Sequence, residues 1–468
     1  MVLRQKAARK GRKMKEHTDV VLVLAVTAAA LLLVAVLAVY CSRNKKDSLT
    51  GALSMDGFYR YAARLANKGA LGAVVQMDLL RFCMINERFG MGYGDALLKD
   101  IMECLRRELP GSIPIARMHS DIFCLYLPEK KRGEISDIIE RLAGCIGDLP
   151  DVSICPCFGI SMLSGAESIE EAVGHAGIAL KFAKRHPAVP VCFFYTEMLD
   201  ELRHYSEMEG DMRNAIKERQ FQVYLQPKYD IMSSRIVGAE ALARWRHPEK
   251  GLIGPEEFIS LFEENGFICE LDRYMWEQAA SVIREWMAKD IPVVPISVNI
   301  SRAQKMDGRL CVILEGIVSE SHIAPENLQL EFTERSFGEG KKELYDAIYR
   351  LRKMGFTILM DDFGSGYSSL NMLKDCPVDI VKLDKGFLRC LDEGGHSRRD
   401  IVIGHVVRLL HDLGLGIVAE GVENEEQKRL LEKSGCRIAQ GYYYSPPVTV
   451  EKFNEMYLED APSQTVSR

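Results

Sequence analysis

From Met212 onward the chain alternates short apolar runs with helix-length amphipathic stretches. The runs are Phe221–Gln226, Ile236–Glu240, Pro295–Asn299, Leu328–Glu331, Thr357–Asp362, Ile380–Lys382, Gly416–Glu420 and Arg437–Gln440. Each closes on a polar group: Gln226, Glu240, Asn299, Glu331, Asp361 with Asp362, Lys382, Glu420 and Gln440. Eight strand-then-helix units over about 240 residues predict a closed (β/α)8 barrel, placed at 212–458, with 459–468 as a flexible tail. Upstream, 47–196 also alternates: a helix over Phe58–Asn67, strands over Gly72–Asp78 and Ile122–Leu127, and a helix over Asp95–Glu108. That pattern predicts a separate α/β domain. Residues 197–211 are charged, lack a strong apolar period and are expected to be a helical linker.

A further pattern is continuous. Val20 to Tyr40 is apolar or small, interrupted by Thr27 alone. Its length suits one crossing of a hydrocarbon layer about 30 Å thick, so 19–41 is expected to be a single transmembrane helix. Cys41-Ser-Arg-Asn-Lys-Lys46 makes a poor cleavage site, which favours a retained anchor. Residues 1–18 form a basic tail carrying Arg4, Lys6, Arg9, Lys10, Arg12, Lys13 and Lys15. Loop charge alone would hold that tail in the cytoplasm and send the rest of the chain outside. The chemistry below needs the opposite, so the expected placement is the cell membrane with the folded domains cytoplasmic. The span is followed almost at once by the next folded segment, which leaves no room for an extracytoplasmic sensor.

Composition narrows the picture slightly. The chain has 468 residues, 47% of them apolar, and a formal net charge of −6. There is no global basic field, which argues against DNA or RNA as partner. The 13 cysteines are scattered and odd in number, the usage of a reducing compartment with free thiols. Cys155-Pro-Cys157 is a close pair with no second pair to complete a zinc site.

The strand ends carry the chemistry. In a barrel they converge on one mouth. Crowded carboxylates repel in a low dielectric and call for counter-cations. An all-oxygen donor set suits Mg2+ or Mn2+. Two such ions can stabilise the attacking and leaving oxygens of a phosphoryl displacement. For one acid alone, capping of the following helix is an equal explanation; for the converging set it is not.

Glu240-Ala-Leu242 lies within Gly238-Ala-Glu-Ala-Leu-Ala-Arg-Trp-Arg-His-Pro248. This stretch resembles the motif of EAL-domain cyclic di-GMP phosphodiesterases. The resemblance extends through Gln226-Pro227, Val298–Ser301, Leu330–Glu334, Met360–Ser369, Val381–Asp384, Ala419–Glu423 and Ala439–Pro446. It implies a TIM-like barrel with one strand antiparallel to the rest. It also implies that Glu240, Asn299, Glu331, Asp361, Asp362 and Glu420 hold two ions, and that Lys382 and Glu420, with Glu240, manage the attacking water. Gln226, Leu242, Arg244, Asp384 and Gln440 would contact the dinucleotide. Glu334 and Glu423 would steady loops, Glu334 bracing the segment Asp362–Ser369. The implied activity is hydrolysis of cyclic di-GMP to linear pGpG by a protein that dimerises with itself. No metal or catalytic position departs from the pattern.

The first domain resembles a GGDEF diguanylate cyclase, through Asp47–Gly51, Asp78–Glu87 and Gly94-Asp95. Its name-giving turn is here His119-Ser-Asp-Ile-Phe123, without either glycine and with Ile122 replacing an acid. Leu80 replaces a second acid, and Pro110–Ile113 stands where an inhibitory Arg-x-x-Asp is expected. The domain is therefore expected to be cyclase-inactive and to serve structure or regulation. Asp78, Asn86 and Glu87 survive either as relics or as a residual nucleotide site. Two rival readings of the barrel remain, a cyclic di-GMP receptor without turnover and a structural scaffold. The complete metal set favours the enzyme.

Overall fold

The computed structural model describes residues 46–460 apart from 67–71, 81, 129, 150–153, 164–166, 186–188, 307, 338–341, 366–369 and 390–395. The expected transmembrane segment and basic tail lie outside these residues. Among the described residues no helix is long and apolar enough to cross a membrane. The chain divides into two compact units, with the boundary between Arg203 and His204.

The first unit contains α1 (Met55–Ala66), β1 (Gly72–Leu79), α2 (Phe82–Phe89), α3 (Met91–Glu108), β2 (Ile115–His119), β3 (Ile122–Pro128), α4 (Arg132–Gly147), β4 (Pro156–Leu163), α5 (Ile169–Arg185) and β5 (Val191–Phe193). The sheet order is β2-β3-β1-β4-β5. Strand β1 is buried along its whole length. Alternation explains this: Ala73, Val75 and Met77 pack with residues of α3 and α4, while Val74 packs on the other face with residues of α1 and α5. Strands β2 and β3 form a hairpin turning at Ser120 and Asp121, where Ser120 takes φ 47° in place of a glycine. The loss of both glycines therefore does not abolish the turn.

Helix α6 (Glu197–Lys217) covers the expected linker and continues past it. The second unit then runs β6 (Phe221–Asp230), β7 (Arg235–His247), β8 (Gly251–Ile253), α7 (Pro255–Asn265), α8 (Ile268–Ala288), β9 (Ile296–Ile300), α9 (Gly308–Ser321), β10 (Leu328–Thr333), α10 (Lys342–Lys353), β11 (Ile358–Phe363), α11 (Leu370–Asp375), β12 (Ile380–Leu383), α12 (His396–Asp412), β13 (Gly416–Ala419), α13 (Glu425–Ser434), β14 (Ile438–Ala439), β15 (Val448–Thr449) and α14 (Val450–Asp460). Pairing in the order β6-β14-β13-β12-β11-β10-β9-β7, closed by β6–β7, makes an eight-stranded barrel. Its central strands are largely buried because interior side chains fill one face and helices cover the other.

The expectation of eight strand-then-helix units needs one correction. β6 and β7 are joined by a hairpin, and β6 runs antiparallel to both its neighbours. A parallel crossover needs a dozen or more residues, and the few between these strands cannot supply one. Gln226 and Glu240 consequently lie within long strands, directly opposite each other, rather than at strand ends.

Candidate active site

Lys382 on β12 is fully buried, and four carboxylates surround it. Its Nζ stands 3.1 Å from Glu240 Oε2, 2.6 Å from Glu331 Oε2, 3.0 Å from Asp361 Oδ1 and 2.6 Å from Glu420 Oε1. These acids come from β7, β10, β11 and the turn after β13, so barrel closure alone brings them together. Gln440, after β14, donates from Nε2 to Glu240 Oε2 at 2.6 Å and to Glu420 Oε1 at 3.1 Å. Asn299 on β9 donates to Glu240 Oε1 at 3.3 Å. Asp361, Asp362 and Glu420 each bring an oxygen within 4.8 Å of the others.

Adjacent residues of a regular strand point to opposite faces. Asp361 and Asp362 escape this rule because β11 is irregular between Met360 and Phe363 in its pairing with β12, and Asp362 takes φ 57°. The left-handed backbone at a non-glycine residue costs on the order of 1–2 kcal/mol. The Asp362 N–H donates to Asp361 Oδ1 at 2.9 Å. Two residues later Gly364, at φ 95°, donates its N–H to Glu334 Oε2 at 2.8 Å. Glu334 thus holds the start of the segment that follows β11; residues 366–369 of that segment are not described.

The charges do not balance. Burial opposes ionisation of Glu331, but the Lys382 and Lys228 ammoniums overcome it and hold its carboxyl low. Burial pushes Asp361 up to about 7 and Glu420 up to about 8, and together with the neighbouring acids it outweighs the opposing pull of Lys382. Asp362 is raised by burial and then by Asp384. Two ammoniums, Lys382 and Lys228, cannot satisfy five clustered carboxylates, and the excess is the charge that added cations would neutralise. The Gln440 Oε1 atom is also buried without a hydrogen-bond partner. An all-oxygen, over-negative site with an orphaned acceptor fits hard divalent ions.

The remaining expected residues have separate surroundings. Gln226 donates to the Ser445 carbonyl at 3.3 Å. Arg244 stands over the Tyr224 ring at 5.6 Å and donates to the Ala243 carbonyl at 2.9 Å. Asp384 caps the short turn after β12 by accepting from Gly386 N at 2.7 Å. Glu423 is exposed, and its backbone N–H is engaged by Gln427 Oε1 at 2.7 Å. Leu242 and Asn299 border an apolar cavity of about 250 Å3, with Asp272 in its wall.

Lys228 and Ser297 escaped the sequence reading. Buried Lys228 Nζ stands 2.7 Å from Ser297 Oγ and 3.1 Å from Glu331 Oε1, giving Glu331 a second cation. The signal was a lysine inside an otherwise buried strand, two residues beyond Gln226. In the first unit, Lys184 Nζ pairs with buried Asp78 Oδ2 at 2.8 Å, and Asp121 Oδ2 accepts from Leu79 N at 3.2 Å.

The EAL domain family model matches residues 209–447, and the Diguanylate cyclase, GGDEF domain model matches 45–188. The cyclic di-GMP phosphodiesterase NbdA of Pseudomonas aeruginosa is 31% identical over 431 residues, which are 89% of this chain and 54% of that protein. The chain spans about half the length of the curated relatives it matches. The PaMucR phosphodiesterase, solved as a c-di-GMP complex, is 33% identical with a TM-score of 0.50, covering 53% of this chain and 99% of that one. The S helix-GGDEF-EAL portion of Vibrio cholerae LapD, bound to c-di-GMP, covers 86% of this chain and 96% of its own at 17% identity and a TM-score of 0.59, a likeness of fold alone. With a family match over more than half its length, this chain belongs to the EAL domain family and carries a GGDEF family domain ahead of the barrel.

Proposed function

We propose that the barrel is a phosphodiesterase that hydrolyses cyclic di-GMP to linear pGpG. The observation that carries this reading is the convergence of Glu240, Glu331, Asp361 and Glu420 on buried Lys382 at 2.6–3.1 Å. The names of NbdA and of the PaMucR complex supply the substrate class. Glu240, Asn299, Glu331, Asp361, Asp362 and Glu420 would hold two divalent ions, Mg2+ or Mn2+. Such ions, when bound, polarise the phosphoryl oxygens and acidify water. Lys382 fixes the positions of four carboxylates and offsets charge developing beside them. Glu420, raised by burial among its neighbouring acids, would take a proton from the attacking water once bound cations hold it ionised. Arg244 offers a planar donor fork to a phosphate at the mouth, while Gln226, Leu242, Asp384 and Gln440 position the dinucleotide.

The same reading places the GGDEF domain in a structural or regulatory role. Lys184 already neutralises Asp78, and Ile122 and Leu80 offer no carboxylate. It also keeps a membrane anchor at 19–41 with both domains cytoplasmic, and a homodimer as the working form. The test is incubation of the protein with cyclic di-GMP and Mg2+ or Mn2+ beside an EDTA control. Metal-dependent pGpG is expected; tight binding without product would make the barrel a receptor.

A further inference from the structure

Cys104 and Cys145 lie against one another in the first unit, one on α3 and one on α4. The Cys104 thiol donates to the Cys145 carbonyl oxygen at 3.5 Å. Arg107, one helical turn beyond Cys104, directs Nη2 to both sulfurs, at 2.8 Å from Cys145 Sγ and 3.8 Å from Cys104 Sγ. The two thiols differ in access. Cys104 is 2% exposed, whereas Cys145 is partly open to solvent. The Arg107 side chain is largely exposed, so a small polar oxidant can reach the cluster beside it. All eleven described cysteines are free, and this pair brings together two sulfurs and a shared cation.

We propose that Cys104 and Cys145 form a redox-modifiable dithiol that a peroxide converts to a disulfide tying α3 to α4. Cys145 sulfur attacks one peroxide oxygen; the S–O bond forms, the O–O bond breaks, and the departing hydroxide takes up the thiol proton as water. The product is a sulfenic acid on Cys145. Cys104 sulfur then attacks Cys145 sulfur; the S–S bond forms, the S–O bond breaks, and the hydroxyl leaves as a second water with the Cys104 proton. The two thiols lose two electrons, and the peroxide is reduced to two waters. Arg107 donates to the sulfur that reacts first and to the oxygen that leaves it. Burial, reinforced by Cys145, pushes the Cys104 thiol up to about 12, so the more open Cys145 is the sulfur that meets the oxidant first. This inference does not depend on the reading of the barrel.

The test is titration of the full chain with hydrogen peroxide, followed by alkylation under denaturing conditions and peptide mass spectrometry. The wild-type chain is expected to yield a Cys104–Cys145 linked peptide lighter by two hydrogens, before exposed Cys83 or Cys155 reacts. Dithiothreitol should reverse the link. Cys104→Ser should leave Cys145 as a sulfenic acid that a 1,3-diketone traps, and Arg107→Ala should slow linkage roughly tenfold. Earlier reaction at Cys83 or Cys155, or conversion of wild-type Cys145 to sulfinic acid without the link, overturns the proposal. The supporting and the overturning results are both read on the wild-type chain and do not require any variant to fold.

Discussion

Lys382 is a buried ammonium whose partners outnumber it four to one. Removing one member of a buried ion pair costs about 3–5 kcal/mol, because the remaining charge loses its compensation. Lys382→Met should therefore lower the melting temperature sharply in EDTA, and Mg2+ should restore more stability to the variant than to the parent protein. An equal Mg2+ shift in both would show that lysine and ion do not share the same carboxylates. Glu240 meets Lys382, Asn299 and Gln440 at once. Glu240→Ala should reduce turnover of cyclic di-GMP at least ~100-fold, and an unchanged kcat would sink the assignment of this site. At Asp362, strain and charge can be separated. Asn tolerates the left-handed region but carries no charge, so Asp362→Asn should keep stability within about 0.5 kcal/mol while weakening the metal dependence of activity.

At the scale of elements, the loops following the strands shape the site as much as the strands do. Gly441 follows Gln440 at φ 155°, and a Cβ there would lie 2.2 Å from the backbone nitrogen of Val422. Gly441→Ala must move one of these two backbones. The expected result is a loss of about 1–3 kcal/mol with a lower kcat, because Gln440 moves away from Glu240 and Glu420. Asp272 on α8 performs a similar task between a helix and the segment after β9. Its Oδ2 accepts from Ser301 N and Gln304 Nε2, both at 3.0 Å. Burial nevertheless pushes its carboxyl up to about 7, outweighing both donors. The folded state then binds this proton more tightly than the unfolded chain does. Stability contributed by the protonated form is complete below the unfolded value near 3.8 and is lost as pH rises toward 7. Asp272→Asn should remove that slope and be relatively more stable at pH 8 than at pH 5, as measured by urea unfolding at the two pH values.

For the molecule as a whole, each unit has its own apolar core. One cluster joins residues from Met208 to Phe453, and the first unit is built on separate clusters between Ala52 and Met198. Calorimetry should resolve two transitions, with Mg2+ and EDTA moving one and leaving the other in place. A metal response in both would show that the units unfold together. Asp121 bonds the backbone of Leu79 within the first unit. Asp121→Ala should leave kcat for cyclic di-GMP unchanged if that unit is catalytically silent; a large drop would revive a regulatory nucleotide site there.

The sequence by itself determined the α/β class, the separation of two domains and the identity of nearly every polar group at the barrel mouth. Apolar periodicity and strand-end chemistry are local properties, so Glu331, Asp361, Lys382 and Glu420 could be picked out one strand at a time. Tertiary structure decided what depends on pairing. The family resemblance implied one antiparallel strand, but that it is β6, which sets Gln226 opposite Glu240, follows from which neighbours a strand bonds and was decided only on closure. The irregular end of β11 turned Asp361 and Asp362 to one side, against the alternation that sequence spacing implies. Lys228 lay beyond the predicted run Phe221–Gln226 and was assigned no role until Glu331, 103 positions away, came within 3.1 Å. Contacts between residues so distant in the chain leave no periodic trace in it, because no local backbone preference encodes them.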